Sequence, residues 1–428
     1  MYYMKINIIF LFSCLFCLAF TVFSFPQSTN TVDIQKVKAM YNDGFYKEVI
    51  LKAGDKPFEE LNTEAIFYLG LSYNSMRNLK MAKDCFEEIC KREPKTIKYL
   101  MQSGKTFEQL GQSEQAAGKY SAILLTDSTY IPAMFELGNI YFENREWSKS
   151  YNIFKKILDL DSISVAANYY AAHSLYNKKG RSEDTALVKH YLTVCFYHND
   201  DYIPALDLLG NVYYNENNFS FALAFFKKAS EVNGNNPYFF YRTGLCYEKR
   251  ADYKTSSKYF IQAVKLDSSV AKYHEHLGFS HYNLGNLDSA IIHYIKATEL
   301  DKNNINCYVD LGLTYMKAKQ YESALASFND ALEIFPINRF TGIYEKIATV
   351  YKIQNNNEEA INWCQKTLLF DPENTTALFA LGYIYDEQKS YKTAVKYYSA
   401  ALPLFEANPL ETEKAAFVKK RLDELKVK

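Results

Sequence analysis

The chain has 428 residues, 48% hydrophobic and 16% aromatic, with 37 tyrosines and 30 phenylalanines. Its 49 basic and 49 acidic residues cancel, so no global field steers it toward nucleic acid or an anionic surface, which disfavours RNA-reading helical repeats that need basic faces. No segment alternates with period two between hairpin turns, so an all-α chain is expected.

Residues 1–24 open with Lys5, the sole charge before an apolar run from Ile6 to Phe23, and Val22-Phe23-Ser24 resembles a signal-peptidase site ahead of Phe25-Pro26-Gln27. That pattern fits a cleaved secretory signal. An uncleaved anchor competes, because residues 6–23 just reach bilayer-spanning length and would tether the chain to a membrane. A lipoprotein reading rests on Leu11-Phe12-Ser13-Cys14, against which the apolar residues after Cys14 count. All three send the rest of the chain to the periplasm or cell envelope. Residues 25–62 read as a linker and a degenerate capping helix pair over Val32 to Lys56, turning at Gly44.

From Thr63 onward one spacing recurs ten times. The dipeptides Leu69-Gly70, Ser103-Gly104, Leu137-Gly138, Ala171-Ala172, Leu209-Gly210, Thr243-Gly244, Leu277-Gly278, Leu311-Gly312, Ile347-Ala348 and Leu381-Gly382 are separated by 34, 34, 34, 38, 34, 34, 34, 36 and 34 residues. Ten units are therefore expected over 63–408, starting near 63, 97, 131, 165, 203, 237, 271, 305, 341 and 375. A fixed period of this size marks a stacked solenoid. In the cleanest copy Tyr308, Leu311, Gly312 and Tyr315 form the stripe of a first helix, and Ala324, Phe328 and Ala331 that of a second. Small residues let the backbones approach, Tyr315 and Phe328 fill the space, and Pro336 closes the unit. The 38-residue step marks an insertion, Lys178 to Asp184, expected as a surface turn.

These columns resemble the tetratricopeptide repeat family over about four fifths of the chain. The Tyr315 column reads Tyr73, Phe107, Tyr141, Leu175, Tyr213, Tyr247, His281, Tyr351 and Tyr385 in the other copies. Phe86, Tyr120, Phe154, Phe226, Phe260, Tyr294 and Tyr398 share the Phe328 column, with Cys364 as an exception. The resemblance implies a right-handed superhelical solenoid of stacked antiparallel helix pairs, with a concave groove lined by first-helix positions. Carrying those offsets over gives a candidate groove of Phe135, Asn139, Phe142, Tyr169, His173, Tyr176, Asn177, Asn211, Tyr214, Asn215, Tyr241, Phe279, Tyr282 and Asn283. Rings offer rigid contact area and amides can hydrogen-bond an extended backbone, so protein or peptide segments are the expected partners. The Lys and Asn pair with which some relatives clamp a peptide carboxylate has no counterpart at these offsets.

Residues 409–428 read as a C-terminal capping helix, with Ala415, Val418, Leu422 and Leu425 docking and Lys419, Lys420, Arg421, Asp423 and Glu424 meeting water. Outside the first 24 residues the cysteines are Cys85, Cys90, Cys195, Cys246, Cys307 and Cys364, scattered without ligand spacing and read as buried free thiols. His274, His276, His281 and His293 crowd one unit, but His274 and His281 lie seven apart, too far along a helix to share an ion. A structural role is expected for them. No phosphate loop, metalloprotease motif or nucleophile elbow occurs, so no catalytic residue, cofactor or metal is expected. Function then reads as a non-catalytic protein-interaction scaffold of the cell envelope, with a glycan or small-ligand receptor using the groove aromatics as the alternative. Oligomeric state is not legible.

Overall fold

A computed structural model describes residues 33–178, 182–334 and 341–425. The segment through residue 24, Cys14 and Cys17, Lys179-Gly180-Arg181, Pro336 and Lys428 lie outside the described residues. Among the described residues there are 23 α-helices and no strand, and no helix is long and apolar enough to cross a membrane. The chain divides into two units, to Val194 and from Cys195.

In the first unit α1 (Ile34–Asn42) and α2 (Tyr46–Ala53) turn at Gly44, whose φ is +81°. Paired helices follow: α3 (Thr63–Ser75) with α4 (Leu79–Arg92), α5 (Ile97–Gln109) with α6 (Ser113–Thr126), and α7 (Ile131–Glu143) with α8 (Trp147–Leu160). Next come α9 (Val165–Asn177) and α10 (Ser182–His198), within which the division between units falls. One apolar cluster runs from Val37 in α1 to Ile140 in α7, as expected where no single pair buries enough area to stand alone. Arg92 ties the preceding linker down, donating to the Leu61 and Phe58 carbonyls at 2.7 Å each.

The second unit pairs α11 (Ile203–Asn215) with α12 (Phe219–Val232), α13 (Pro237–Lys249) with α14 (Tyr253–Leu266), and α15 (Ala271–Asn283) with α16 (Leu287–Leu300). It continues with α17 (Ile305–Lys317) and α18 (Tyr321–Ile334), α19 (Thr341–Ile353) and α20 (Asn357–Phe370), and α21 (Thr375–Glu387) and α22 (Tyr391–Ala407). Last is α23 (Thr412–Leu425), which buries Ala415, Val418, Leu422 and Leu425. Its Arg421 does more than meet water. The guanidinium forks onto Asp386 of α21 at 2.6 and 2.8 Å, fixing the cap by charge as well as by apolar contact.

Local chemistry sets where each helix begins. Asn62, Asn78, Asn218, Asn304, Asn356 and Asn374 sit at N-caps and accept a backbone N–H of the first turn. Pro132, Pro204 and Pro237 open first helices, where a missing N–H costs nothing. Between first and second helix the backbone turns left-handed at one fixed position: Arg77, Gly111, Arg145, Asn217, Ala251, Gly285, Lys319, Asn355 and Lys389, with φ between 57° and 79°. The next residue's N–H then reaches back five residues, as Asn78 to Tyr73 and Gln320 to Tyr315 at 2.9 Å, closing the helix.

Packing within pairs follows one device. A Cβ added to Gly70, Gly104, Gly138, Gly210, Gly244, Gly278, Gly312 or Gly382 would lie 2.5–3.1 Å from the ring of Phe86, Tyr120, Phe154, Phe226, Phe260, Tyr294, Phe328 or Tyr398 respectively. All eight rings are buried. Tyr315 behaves differently from the sequence expectation. It is half-buried, as are most of its column, and several members stack face to face on the paired helix: Tyr247 on Tyr259, His281 on His293 and Tyr385 on Tyr397.

The insertion after Asn177 is only partly a turn. Residues 182–184 are already helical, which makes α10 17 residues long. Val188, Leu192 and Cys195 are buried four and three residues apart, taking the places that Ala324, Phe328 and Ala331 hold elsewhere. An inserted turn of helix explains why this repeat falls out of phase.

Candidate functional site

The eight rings of the Phe328 column are taken up by the glycines beneath them, while first helices carry half-buried rings beside amides. In the first unit Phe135, Phe142, Tyr169 and His173 come together. Phe142 meets His173, Tyr170 and Trp147 with centroids 4.8, 4.9 and 5.5 Å apart. Phe135 lies edge-on to Phe154 at 5.4 Å, and Tyr169 lies 5.6 Å from His173. Asn177 donates to His173 twice, to the ring Nδ1 at 2.9 Å and to the carbonyl at 2.8 Å. Burial lowers the His173 pKa, so its ring stays neutral. Tyr176 is half-buried beside them. The Asn139 Oδ1 is buried with no hydrogen-bond partner among the described residues. Nearer the N-terminus, Leu71, Asn74, Ser75, Gln102 and Gln109 line an open recess of about 450 Å3 with Tyr41 and Arg77.

In the second unit the candidate residues separate into smaller groups. Asn211 donates to the Asp207 carboxylate and carbonyl, both at 2.9 Å, and the Tyr238 hydroxyl donates to the same carboxylate at 3.1 Å. Arg242 lies over Tyr214 and Phe226 at 4.8 and 4.7 Å from their centroids. Tyr241 packs against Tyr273 and His276, while Phe279 meets Tyr253 and Tyr282 carries Lys317 at 4.2 Å. Asn215 and Asn283 are exposed. Amides turn inward: Asn177, Asn211 and Asn283 each give an N–H to the carbonyl four residues earlier, and Asn177 and Asn211 also donate to the His173 Nδ1 and the Asp207 carboxylate.

The column directly before the core Leu, which the offsets passed over, holds Arg242, His276, Asp310 and Lys346. Its signal in sequence is the repeated charge beside an otherwise apolar pair. His276 sits 3.0 Å from Glu248 of the neighbouring first helix, whose side chain is 8% exposed. Asp310 has its carboxyl pushed up to about 6 by burial first and by Glu275 second. Between α19 and α21 a cavity of about 130 Å3 is lined by Ala348, Ile353, Cys364, Ala377 and Ile384.

The six described cysteines are buried free thiols, and burial pushes Cys85, Cys195, Cys246 and Cys364 up to about 12. Histidines are closer than spacing suggested. His293 of α16 comes between the two that are seven apart, 3.2 Å from His274 Nδ1 and stacked on His281 with centroids 5.8 Å apart. No group of three or more His, Cys, Asp or Glu among the described residues is arranged to hold a metal ion.

Sequence profiles of the tetratricopeptide repeat match residues 64–96, 268–337 and 346–409. The chain is 23% identical over 270 residues to anaphase-promoting complex subunit 3 of Schizosaccharomyces pombe, covering 58% of this chain and 39% of that protein. It is also 23% identical over 193 residues to a TPR repeat-containing protein of Methanocaldococcus jannaschii, covering 45% and 29%. It therefore spans well under half the length of both. The solved C-terminal part of a TPR repeat-containing protein from Cytophaga hutchinsonii superposes with a TM-score of 0.51 at 15% identity, over 58% of this chain and 99% of that one; this likeness is one of fold.

Proposed function

Because the chain carries tetratricopeptide repeats, we propose that it is a non-catalytic scaffold that binds segments of partner proteins on its first-helix faces, in the cell envelope. One observation carries the reading. The eight rings of the Phe328 column on second helices are buried against glycine, whereas Phe142, Tyr169, Tyr214 and Tyr282 on first helices are half-buried. A surface of this kind joins rigid aromatic area to nearby amides and charges, which suits an extended polypeptide. The envelope location rests on Lys5 and the apolar run to Phe23.

The test is capture of envelope proteins by the exported form, run beside a glycan array with the same protein. Protein partners lost in a Tyr214→Ala, Tyr282→Ala variant support the scaffold. Binding confined to sugars and abolished by that variant overturns it in favour of a glycan receptor. Edman sequencing of the mature protein checks the export signal: a start at Phe25 marks cleavage after Ser24, and an intact Met1 marks an anchor.

A further inference from the structure

The second-helix ring of a repeat rests against three places. Phe154 meets Phe135 at 5.4 Å, lies over Gly138, and stacks at 4.9 Å on Tyr170 of the next first helix. Phe260 repeats the arrangement with Tyr241 at 5.9 Å, Gly244, and His276 at 5.6 Å. Across α19, α20 and α21 the same three places hold Glu345, Ala348 and Ala380, and Cys364 stands where the ring would begin. All four residues line the cavity of about 130 Å3. Its outline is therefore that of a phenyl ring the chain does not supply. Its volume is close to the roughly 150 Å3 that accommodates one benzene in a protein interior.

This cavity is not sealed in the core. Ala348, Cys364, Ala377 and Ile384 form a buried floor, while Thr349 and Ile353 on the first helix α19 are exposed at the rim. Its two charged lining groups are already engaged: Asn374 donates to Glu345 at 2.7 Å, and Lys352 pairs with Glu387 and donates to Asn357 at 3.2 Å. Apolar area and shape are what it offers a ligand. We propose that this slot receives the ring of a phenylalanine side chain from a bound protein segment, completing from outside the packing that eight other pairs complete from within. The inference rests on the first-helix faces being a protein-binding surface. A ring seated there leaves water and fills a cavity in one step.

Two probes test the slot in the full chain: fluorobenzene for the ring alone, and random displayed peptides for the segment. Ala348→Gly with Cys364→Phe restores the glycine and ring of the other repeats and fills the slot. Ala380→Phe obstructs it from a half-buried position without touching the floor. Circular dichroism and urea midpoints check both folds. The fluorine resonance of fluorobenzene should broaden with the wild type and stay sharp with either variant. Recovered peptides should carry a phenylalanine whose replacement by alanine weakens binding about tenfold or more, with a similar loss in both variants. Equal broadening with all three proteins overturns the slot. Peptides lost in the Tyr214→Ala, Tyr282→Ala variant but indifferent to both slot variants overturn the slot and leave the protein-binding surface standing. Fluorobenzene held in the slot without any slot-dependent peptide makes the occupant a free small aromatic, which also overturns the proposal. Recovery of no peptide, or only of peptides indifferent to the slot and tyrosine variants alike, overturns the protein-binding surface and the slot together.

Discussion

At α17–α18 the Phe328 ring lies where a Cβ on Gly312 would come within 2.5 Å of it, while at α19–α20 the same places hold Ala348 and Cys364. Eight pairs follow the first pattern. The pairs that depart from it, this one and Ala172 with Leu192, change both partners at once. Glycine and ring are therefore one device: a methyl on the first helix takes up the space in which the ring would lie. Where ring volume is lost without full compensation, a cavity remains. The space of about 130 Å3 beside Cys364 is lined by Ala348 and opens between first helices, so a lapse in core packing becomes a feature of the first-helix face.

Breaking the device should cost most where it is complete. Phe328→Ala is expected to destabilise by about 3–5 kcal/mol and Cys364→Ala by about 1 kcal/mol, read as urea midpoints. Equal losses would mean that the ring adds nothing special. Adding a methyl gives the next largest effect. Gly312→Ala should cost about 1–3 kcal/mol by overpacking, and Gly278→Ala less, since its Cβ would meet Tyr294 only at 3.1 Å. Cys364→Phe alone should lose about 1–2 kcal/mol against the Ala348 methyl, and Ala348→Gly should restore it, a coupling that a double-mutant cycle reads directly.

A comparison of neighbouring repeats adds a pH prediction. Tyr247 stacks on Tyr259, but the next repeat puts His281 on His293, with His274 also against His293. Burial first, then the charges of His274 and His281, hold His293 down at about 4 against 6.5 when free. A depressed pKa means that the unfolded chain binds the proton more readily, so this stability is present above about 6.5 and lost as pH falls through about 4. Burial first, with Lys296 adding to it, lowers His274 in the same sense. His281→Tyr with His293→Tyr should flatten the stability profile in that window relative to wild type; an unchanged profile would remove the cluster from the account. The smallest effect belongs to the left-handed turns. Lys319→Gly relieves a side chain at φ +61° and should stabilise by up to about 1 kcal/mol.

Periodicity made the helices and their pairing readable, because the Leu, Gly and Ala columns are dictated by contacts inside each unit. Gly44 was legible as a turn for the same local reason. The left-handed positions were not, since Arg77, Arg145 and Lys319 give no compositional sign of a positive φ. Offsets from the Leu-Gly pair led to Tyr214, Tyr241 and Tyr282, but not to Glu248 or Asp310. Glu248 meets His276, 28 residues on, and Asp310 feels Glu275, 35 residues before it, and such proximity depends on how repeats stack rather than on any one repeat. The crowding of His293 was visible in the sequence but its place was not: spacing along α15 separates His274 from His281, and only the paired helix brings the third ring between them.

The most direct test places a photo-crosslinking residue in the full chain in intact cells, at Tyr214 or Tyr282 on first helices and at Lys227 or Lys258 on second helices. Partner proteins joined at the two tyrosine positions and absent at the two lysine positions are the predicted result. Crosslinks that form only from Lys227 and Lys258 would contradict a binding surface built on the first helices.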